Sequence, residues 1–538
     1  MILFNSQPVF FIFFLFITSL LCSLLALSNS ISLSKPFTHF HLHHSPNSHR
    51  QSSSSFSSFP GQADQVITAD LPGLSTPELP FHHFAGYLDS VNGTHLFYWF
   101  FESSLENPES APVALFLNGG PGCSSLFGAL LESGPLRVRA SNGLSENGTA
   151  SQIELNPHSW NAHANLLFIE TPAGVGFSYQ EGVTPTYDYH TDDQATARLN
   201  FAALRSFYRK FPHLVSNDFY LTGESYAGVY LSTLAELLLL RQENNNQFPV
   251  INFKGVALGN PMLDQKLVVH SRIQFAREQH LLQEAIWGGL RRRCCDSENS
   301  EYSSDSEPSE SESSVLSCRF ANHSLAEIQF GSQLSEECRL WYLATQMHII
   351  DYPRNVYNYK RPCTAGRTAA NICADPEVDG ALTGWLRRAD VQRALHVDQR
   401  KGGDKNSLIN WSDCNTRLFK SYQQSVDSVA EQVRLMLAAG VKVLLYFGDL
   451  DLACTYISGR WFVDGLQLTP ISGSSATSPR PWFFEDQLVA DVQLYREGLA
   501  YVRVKNAGHE ALRDRPAFAR QMFQEFLNAF LFSDFFVE

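Results

Sequence analysis

Charge is scarce in this chain, and positive charge is scarcer still. Only 17% of the 538 residues are Asp, Glu, Lys or Arg, and 54 acids face 40 bases, a formal charge of −14 at pH 7. That balance excludes nucleic acid as the main partner, because phosphate binding needs a basic surface. No two cysteines form a C-x-x-C pair, so the common zinc patterns are missing, and no metal or other cofactor is expected. No internal repeat is present, and past residue 27 no apolar run approaches the length of a membrane span. With 44% hydrophobic residues, the composition is that of a globular chain.

What is present begins with residues 8–27, an almost unbroken run of Phe, Ile, Leu and Val followed by small and polar residues. Residues 1–28 therefore read as a signal peptide. No Lys or Arg precedes the run, so an uncleaved anchor is the alternative; after cleavage no membrane contact is expected. Residues 29–65 are rich in Ser, His and Pro and read as a low-complexity spacer. The cluster His39, His41, His43 and His44 fits a solvated tail better than a metal site. Sequons at Asn92, Asn147, Asn322 and Asn410 agree with passage through the secretory route. Apart from Cys22 in the leader there are nine cysteines, so an oxidising lumen would pair eight and leave one free.

Folded pattern begins near Val66. Short apolar runs at 95–101, 113–118, 166–169, 219–222, 253–258, 441–447 and 500–504 read as buried strands. Helical patterns lie between them, as at 192–211 and 226–241. Strands alternating with helices predict a mostly parallel central sheet with helices on both faces. Residues 66–261 form the first part of this core and 375–538 the second. Residues 262–374 interrupt it as a cap insertion, within which 296–314 is an acidic loop with no basic residue, expected to be exposed and disordered.

The most informative stretch is Gly223-Glu-Ser-Tyr-Ala-Gly228. An apolar strand ends just before it and a helical pattern starts just after it, so Ser225 sits on the turn between them. A strained turn of this kind needs small residues two positions either side of its serine, and Gly223 and Ala227 meet that need. An ordinary helix cap is the competing reading of Ser225. The surrounding residues resemble the serine carboxypeptidase family. Leu117-Asn-Gly-Gly-Pro-Gly-Cys-Ser-Ser125, the blocks Asn156-Pro-His-Ser-Trp and Ala173-Gly-Val-Gly-Phe-Ser, and Tyr446-Phe-Gly-Asp-Leu-Asp-Leu-Ala-Cys454 are similar to that family in the same order, over roughly residues 80–535.

The resemblance implies an α/β-hydrolase fold with an inserted cap, and acid peptidase activity on peptides with a free C-terminus. It implies a triad of Ser225, Asp451 and His509, with Asp449 as a nearby competitor for the acid. It implies oxyanion donors at the Gly120 and Tyr226 amides, and a carboxylate clamp made of Asn118, Gly119, Glu132 and Glu224. Acidic residues beside a substrate carboxylate make sense when protonated, because a neutral carboxyl donates a hydrogen bond. The resemblance also implies the pairs Cys123–Cys414, Cys294–Cys338, Cys295–Cys318 and Cys363–Cys373. Cys454 is then the free thiol, either a mercurial target near His509 or an inert buried group. Two departures stand out: Glu510-Ala-Leu-Arg-Asp-Arg-Pro516 where many members have Met-Val-Pro or Glu-Val-Pro, and Phe116 where Trp is usual. The alternatives are an acyltransferase of the same family, against which Glu224 counts, and a silent protective partner of other enzymes. The expected place is the lysosome, vacuole or cell exterior, with a homodimer possible.

Overall fold

The computed structural model describes residues 59–528, except 75, 77, 141–150, 184–188, 242–248, 296–314, 332, 351–353, 364–377, 401–407 and 472–478. The leader, most of the spacer, the acidic loop, Asn147 and Cys373 lie outside the described residues.

The strands in chain order are β1 (His83–Asp89), β2 (Thr94–Phe101), β3 (Val113–Leu117), β4 (Leu136–Ala140), β5 (Ser151–Leu155), β6 (Asn165–Ile169), β7 (Tyr179–Gln180), β8 (Phe219–Glu224), β9 (Phe253–Gly259), β10 (Lys442–Gly448), β11 (Arg480–Phe484), β12 (Gln487–Leu494) and β13 (Leu499–Val504). One sheet runs β1-β2-β6-β3-β8-β9-β10-β13-β12-β11, with β7 added beside β2. Its middle, from β6 to β13, is parallel, and the strands outside it are antiparallel. β4 and β5 pair separately. The middle strands are buried on both faces, and β3, β6 and β8 are buried throughout, which is why they read as unbroken apolar runs. Each expected strand is found within two residues of its place. The helix Asp193–Lys210 starts where the Asp192 carboxylate accepts the Ala195 N–H at 2.7 Å.

Two apolar layers cover the sheet. On one face Trp160 stacks on Phe523 of the helix Pro516–Leu527 at 4.1 Å, and Trp99 lies over Trp385. On the other face Phe207, Leu234 and Met436 come from the helices Asp193–Lys210, Ala227–Arg241 and Ala430–Ala438. A third cluster belongs to the insertion: Phe275, Leu290, Phe320 and Tyr342 pack together and reach Leu452 and Ile457, just past Asp451. The cap thus backs directly onto the end of β10.

The fold starts earlier than Val66. Residues Pro60–Asp64 form a tight turn. The buried Asp64 carboxylate accepts the Tyr98 hydroxyl at 2.7 Å and pairs with Lys210, and Phe59 lies 5.5 Å from Phe211. The Ser/Pro-rich surroundings hid this segment. Its one acid is buried because a cation and a hydroxyl await it.

Candidate active site

Apart from Glu132, the residues of the expected site lie at or just beyond the C-terminal ends of parallel strands of the sheet, where open α/β sheets leave a crevice. β8 delivers Ser225. Its backbone has φ +61, the left-handed region that side chains other than Gly seldom adopt. The turn holds because neighbours fix it: Ser225 N donates to Gly259 O at 2.9 Å, and Met262 N donates to Ser225 O at 2.8 Å. A Cβ on Gly223 would meet the Leu117 carbonyl at 2.4 Å and Ala227 Cβ at 3.0 Å, so Gly223 is sterically required.

Asp451 follows β10 and His509 follows β13. His509 Nδ1 lies 2.7 Å from Asp451 Oδ2, and both side chains are buried. Asp451 is held on all sides: Oδ1 accepts Ala453 N at 2.8 Å, and Oδ2 also accepts Asn260 Nδ2 at 2.8 Å and Cys454 N at 3.1 Å. The Tyr357 ring stacks on His509 at 4.2 Å, and the Tyr357 carbonyl accepts His509 N at 2.7 Å. Both contacts come from the cap. His509 Nε2 is buried and makes no hydrogen bond, so one ring nitrogen is oriented by a carboxylate and the other is open, the arrangement a general base would need. Asp449 does something else: it accepts Asn506 N at 2.7 Å and lies 3.9 Å from Arg503, bracing the loop.

The Gly-rich loop follows β3. A Cβ on Gly119 would lie 2.3 Å from Tyr226 N, so only Gly lets this loop rest against the nucleophile turn. Gly120 has φ +111, a Gly conformation. Tyr226 N opens the helix Ala227–Arg241, and the Tyr226 hydroxyl is fixed by Asp193 at 2.8 Å. Asn118 Nδ2 lies 2.9 Å from Glu224 Oε1 and 3.4 Å from Glu132 Oε1, while Gly128 N fixes Asn118 Oδ1 at 3.0 Å. Glu132 ends one wide helical turn, Gly128–Glu132, closed by Ser133 N on Gly128 O at 3.0 Å. Asn156 Nδ2 supports that turn through Glu132 O and Gly134 O, which gives the Asn156 block a structural purpose. Phe116 packs beside Trp160 and Phe168 beneath the loop.

The carboxyls here are not ordinary. Burial, with the charge of Glu510, pushes Glu132 up to about 7, against the hydrogen bonds from Glu224 and Asn118. Burial and then the charge of Glu132 hold Glu224 well above the usual range. Glu224 therefore keeps its proton longest and shares it with Glu132. On His509, burial works against the charged ring. The Asp451 charge and hydrogen bond, with Glu510 and Glu132, outweigh it and hold the pKa above the ordinary value. Protonating Glu132 removes one of those charges and so draws the His509 pKa back toward its ordinary value.

Disulfides join Cys123 to Cys414, Cys294 to Cys338 and Cys295 to Cys318. The first ties the Gly-rich loop to the second half of the core. Cys363 is buried. Cys454 is free and buried, and burial and the Asp451 charge push its thiol far up, which suits an inert group rather than a reactive thiolate. Among the sequons, Asn92, Asn322 and Asn410 are exposed.

Three contributors escaped the sequence reading. Asn260, Tyr357 and Glu170 come from a strand end, from the cap and from β6 plus one residue. Glu170 is fully buried, accepts Phe177 N at 2.6 Å and Trp411 Nε1 at 2.8 Å, and bonds the Ser124 hydroxyl on the Gly-rich loop. The one available signal was Asn260 in Gly-Asn-Pro directly after a strand.

A mostly parallel sheet, a serine on a left-handed strand-to-helix turn and a carboxylate-bonded histidine define a serine hydrolase of the α/β-hydrolase fold. Among solved structures, the yeast prohormone-processing carboxypeptidase Kex1 of Saccharomyces cerevisiae shares this fold, with a TM-score of 0.69 at 22% identity over 87% of this chain and 96% of that one. The serine carboxypeptidase family model matches residues 72–529. The mouse lysosomal protective protein is 32% identical over 506 residues, 86% of this chain and 94% of that protein. A serine carboxypeptidase of Caenorhabditis elegans is 32% identical over 472 residues, 85% of this chain and 92% of that one. The chain belongs to the serine carboxypeptidase family. The matches favour neither the acyltransferase nor the silent-partner alternative. Among the described residues no helix is long and apolar enough to cross a membrane.

Proposed function

We propose that this carboxypeptidase removes C-terminal residues from peptides in acid, through an acyl-enzyme on Ser225. The Ser225 hydroxyl attacks the scissile carbonyl carbon as His509 Nε2 takes its proton. The Gly120 and Tyr226 amides receive the oxyanion. The tetrahedral adduct collapses when His509 returns the proton to the leaving amine, and the terminal amino acid departs. Water then repeats the sequence on the acyl ester and frees Ser225. Asp451 keeps the ring in the tautomer that leaves Nε2 free.

The observation that carries the C-terminal preference is the buried group Asn118, Glu132 and Glu224 beside Gly119 and the nucleophile turn. Two protonated carboxyls and an amide form a neutral set of hydrogen-bond donors, which suits a substrate carboxylate and repels it once ionised. The test compares a blocked dipeptide such as N-acyl-Phe-Leu with its C-terminal amide. Release of free Leu from the acid form, a much weaker reaction with the amide, and loss of both turnover and fluorophosphonate labelling in Ser225→Ala support the reading. Equal rates on acid and amide would refute the clamp.

Disulfides, exposed sequons and the leader support maturation in the secretory pathway and residence in a lysosome, a vacuole or outside the cell. Asn92, Asn147, Asn322 and Asn410 are the proposed glycan acceptors, checked by glycosidase shifts. A Cys363–Cys373 bond is proposed alongside the other pairs, checked by non-reducing peptide maps. Homodimer formation rests on the family resemblance and is checked by sedimentation.

A further inference from the structure

The turn after β9 carries a buried polar residue with no part in the scheme above. Asn260 is fully buried and has φ +40. Its Oδ1 accepts Gly448 N at 3.1 Å at the end of β10, which fixes the amide so that Nδ2 faces Asp451 Oδ2 at 2.8 Å. Its backbone N donates to Tyr446 O at 2.8 Å, and the carbonyl just before it, Gly259 O, accepts Ser225 N at 2.9 Å. One residue therefore joins the nucleophile turn on β8 to the acid loop after β10.

We infer that Asn260 is a positioning residue: its amide keeps the Asp451 carboxylate aimed at His509, and its backbone sets that carboxylate relative to Ser225. This rests on the triad reading of Ser225, Asp451 and His509. Asp451 Oδ2 has two other partners, the His509 ring and Cys454 N. The amide of Asn260 is the partner that ties the carboxylate to the strand beside the nucleophile. Asn suits the place for two reasons. It tolerates the left-handed backbone, and its amide donates at every pH. The charged and titratable groups around Asp451 are His509, Tyr357, Cys454 and Arg272, whose guanidinium holds Ala453 O, with Glu510 and Glu132 beyond the ring.

Two variants separate aim from architecture. Asn260→Gly permits the positive φ and deletes the amide. Asn260→Asp keeps the shape and the acceptor toward Gly448 N, but it donates to Asp451 only while protonated, as one member of a carboxyl pair sharing a proton. Both are purified, and kcat and KM for a blocked dipeptide are measured from pH 4.5 to 8 beside fluorophosphonate labelling of Ser225. Asn260→Gly should lose about 10²-fold in kcat with KM within about threefold. Asn260→Asp should stay within about tenfold of the parent at pH 4.5, then lose about tenfold in kcat per pH unit above its break. Asn260→Gly within twofold of the parent would overturn the inference. So would equal losses in both variants with the parental pH profile, because that marks a purely structural residue. If the parent's Ser225 resists labelling, the triad reading fails instead; a labelled parent with a pH-insensitive Asn260→Asp sinks this inference alone.

Discussion

Replacing both clamp carboxyls, Glu132→Gln with Glu224→Gln, should uncouple substrate affinity from pH. In the parent, burial and the charge of Glu132 hold Glu224 well above the usual carboxylate range, and burial pushes Glu132 up to about 7, so Glu132 is the first of the two to lose its proton. Below that point the clamp is neutral; above it, one negative charge faces the substrate carboxylate. If only the neutral clamp binds well, KM rises as 1 + 10^(pH−7), about twofold at pH 7 and about tenfold at pH 8. The rise has a ceiling. Two unit charges ~4 Å apart at an effective dielectric of ~20 repel by about 4 kcal/mol, a limit of about 10³-fold. In the double variant two amides stay neutral throughout, so KM should vary less than about twofold between pH 4.5 and 8. The assay is KM and kcat for N-acyl-Phe-Leu across that range. The C-terminal amide serves as a substrate with no charge to repel, and fluorophosphonate labelling checks that Ser225 remains assembled. A parental pH dependence of KM surviving in the labelled double variant would refute the reasoning.

Three further outcomes follow from the same geometry. Glu132→Gln alone should move the acid limb of kcat to lower pH, because it removes one charge that holds the His509 pKa up; a limb that stays or rises contradicts the coupling. Burial pushes Glu170 up to about 7 despite three hydrogen bonds. A carboxyl whose folded pKa is raised stabilises the fold below its ordinary value near 4.5, and that contribution fades as pH climbs to 7. The urea stability of the parent relative to Glu170→Gln should therefore drop by roughly 3 kcal/mol between pH 4.5 and 7.5, and a pH-independent difference would exclude the linkage. Gly119→Ala places a Cβ 2.3 Å from Tyr226 N, so the loop must leave the nucleophile turn, and kcat should fall by at least about 10²-fold with little change in thermal stability; near-parental kcat would show that the loop is not part of the reacting geometry.

Much of the molecule was legible from local chemistry. The parallel strands are buried on both faces, so β3, β6 and β8 announce themselves as unbroken apolar runs. β11 and β12 at the sheet edge, half exposed and of mixed polarity, give no such signal. The turn at Ser225 was equally plain as a local pattern, an apolar strand giving way to a helix with small residues on either side of the serine, although the closest crowding at Gly223 comes from the Leu117 carbonyl on β3.

What the linear order could not convey is the company each side chain keeps. Asp449 and Asp451 differ by two positions, yet one braces a loop against Asn506 and the other meets His509, a choice made by where β13 brings its C-terminal end. Glu132 and Glu224 are unremarkable acids until folding seals them in one pocket, where desolvation and like charge change their protonation. Tyr357 belongs to the cap and Asn260 to a strand end, and only packing sets them around His509 and Asp451. The apolar patterning of strands and helices is a short-range property that the sequence wrote by itself. Electrostatics and hydrogen-bond partnership depend on distance in space and on the exclusion of water, and only the tertiary structure decided those.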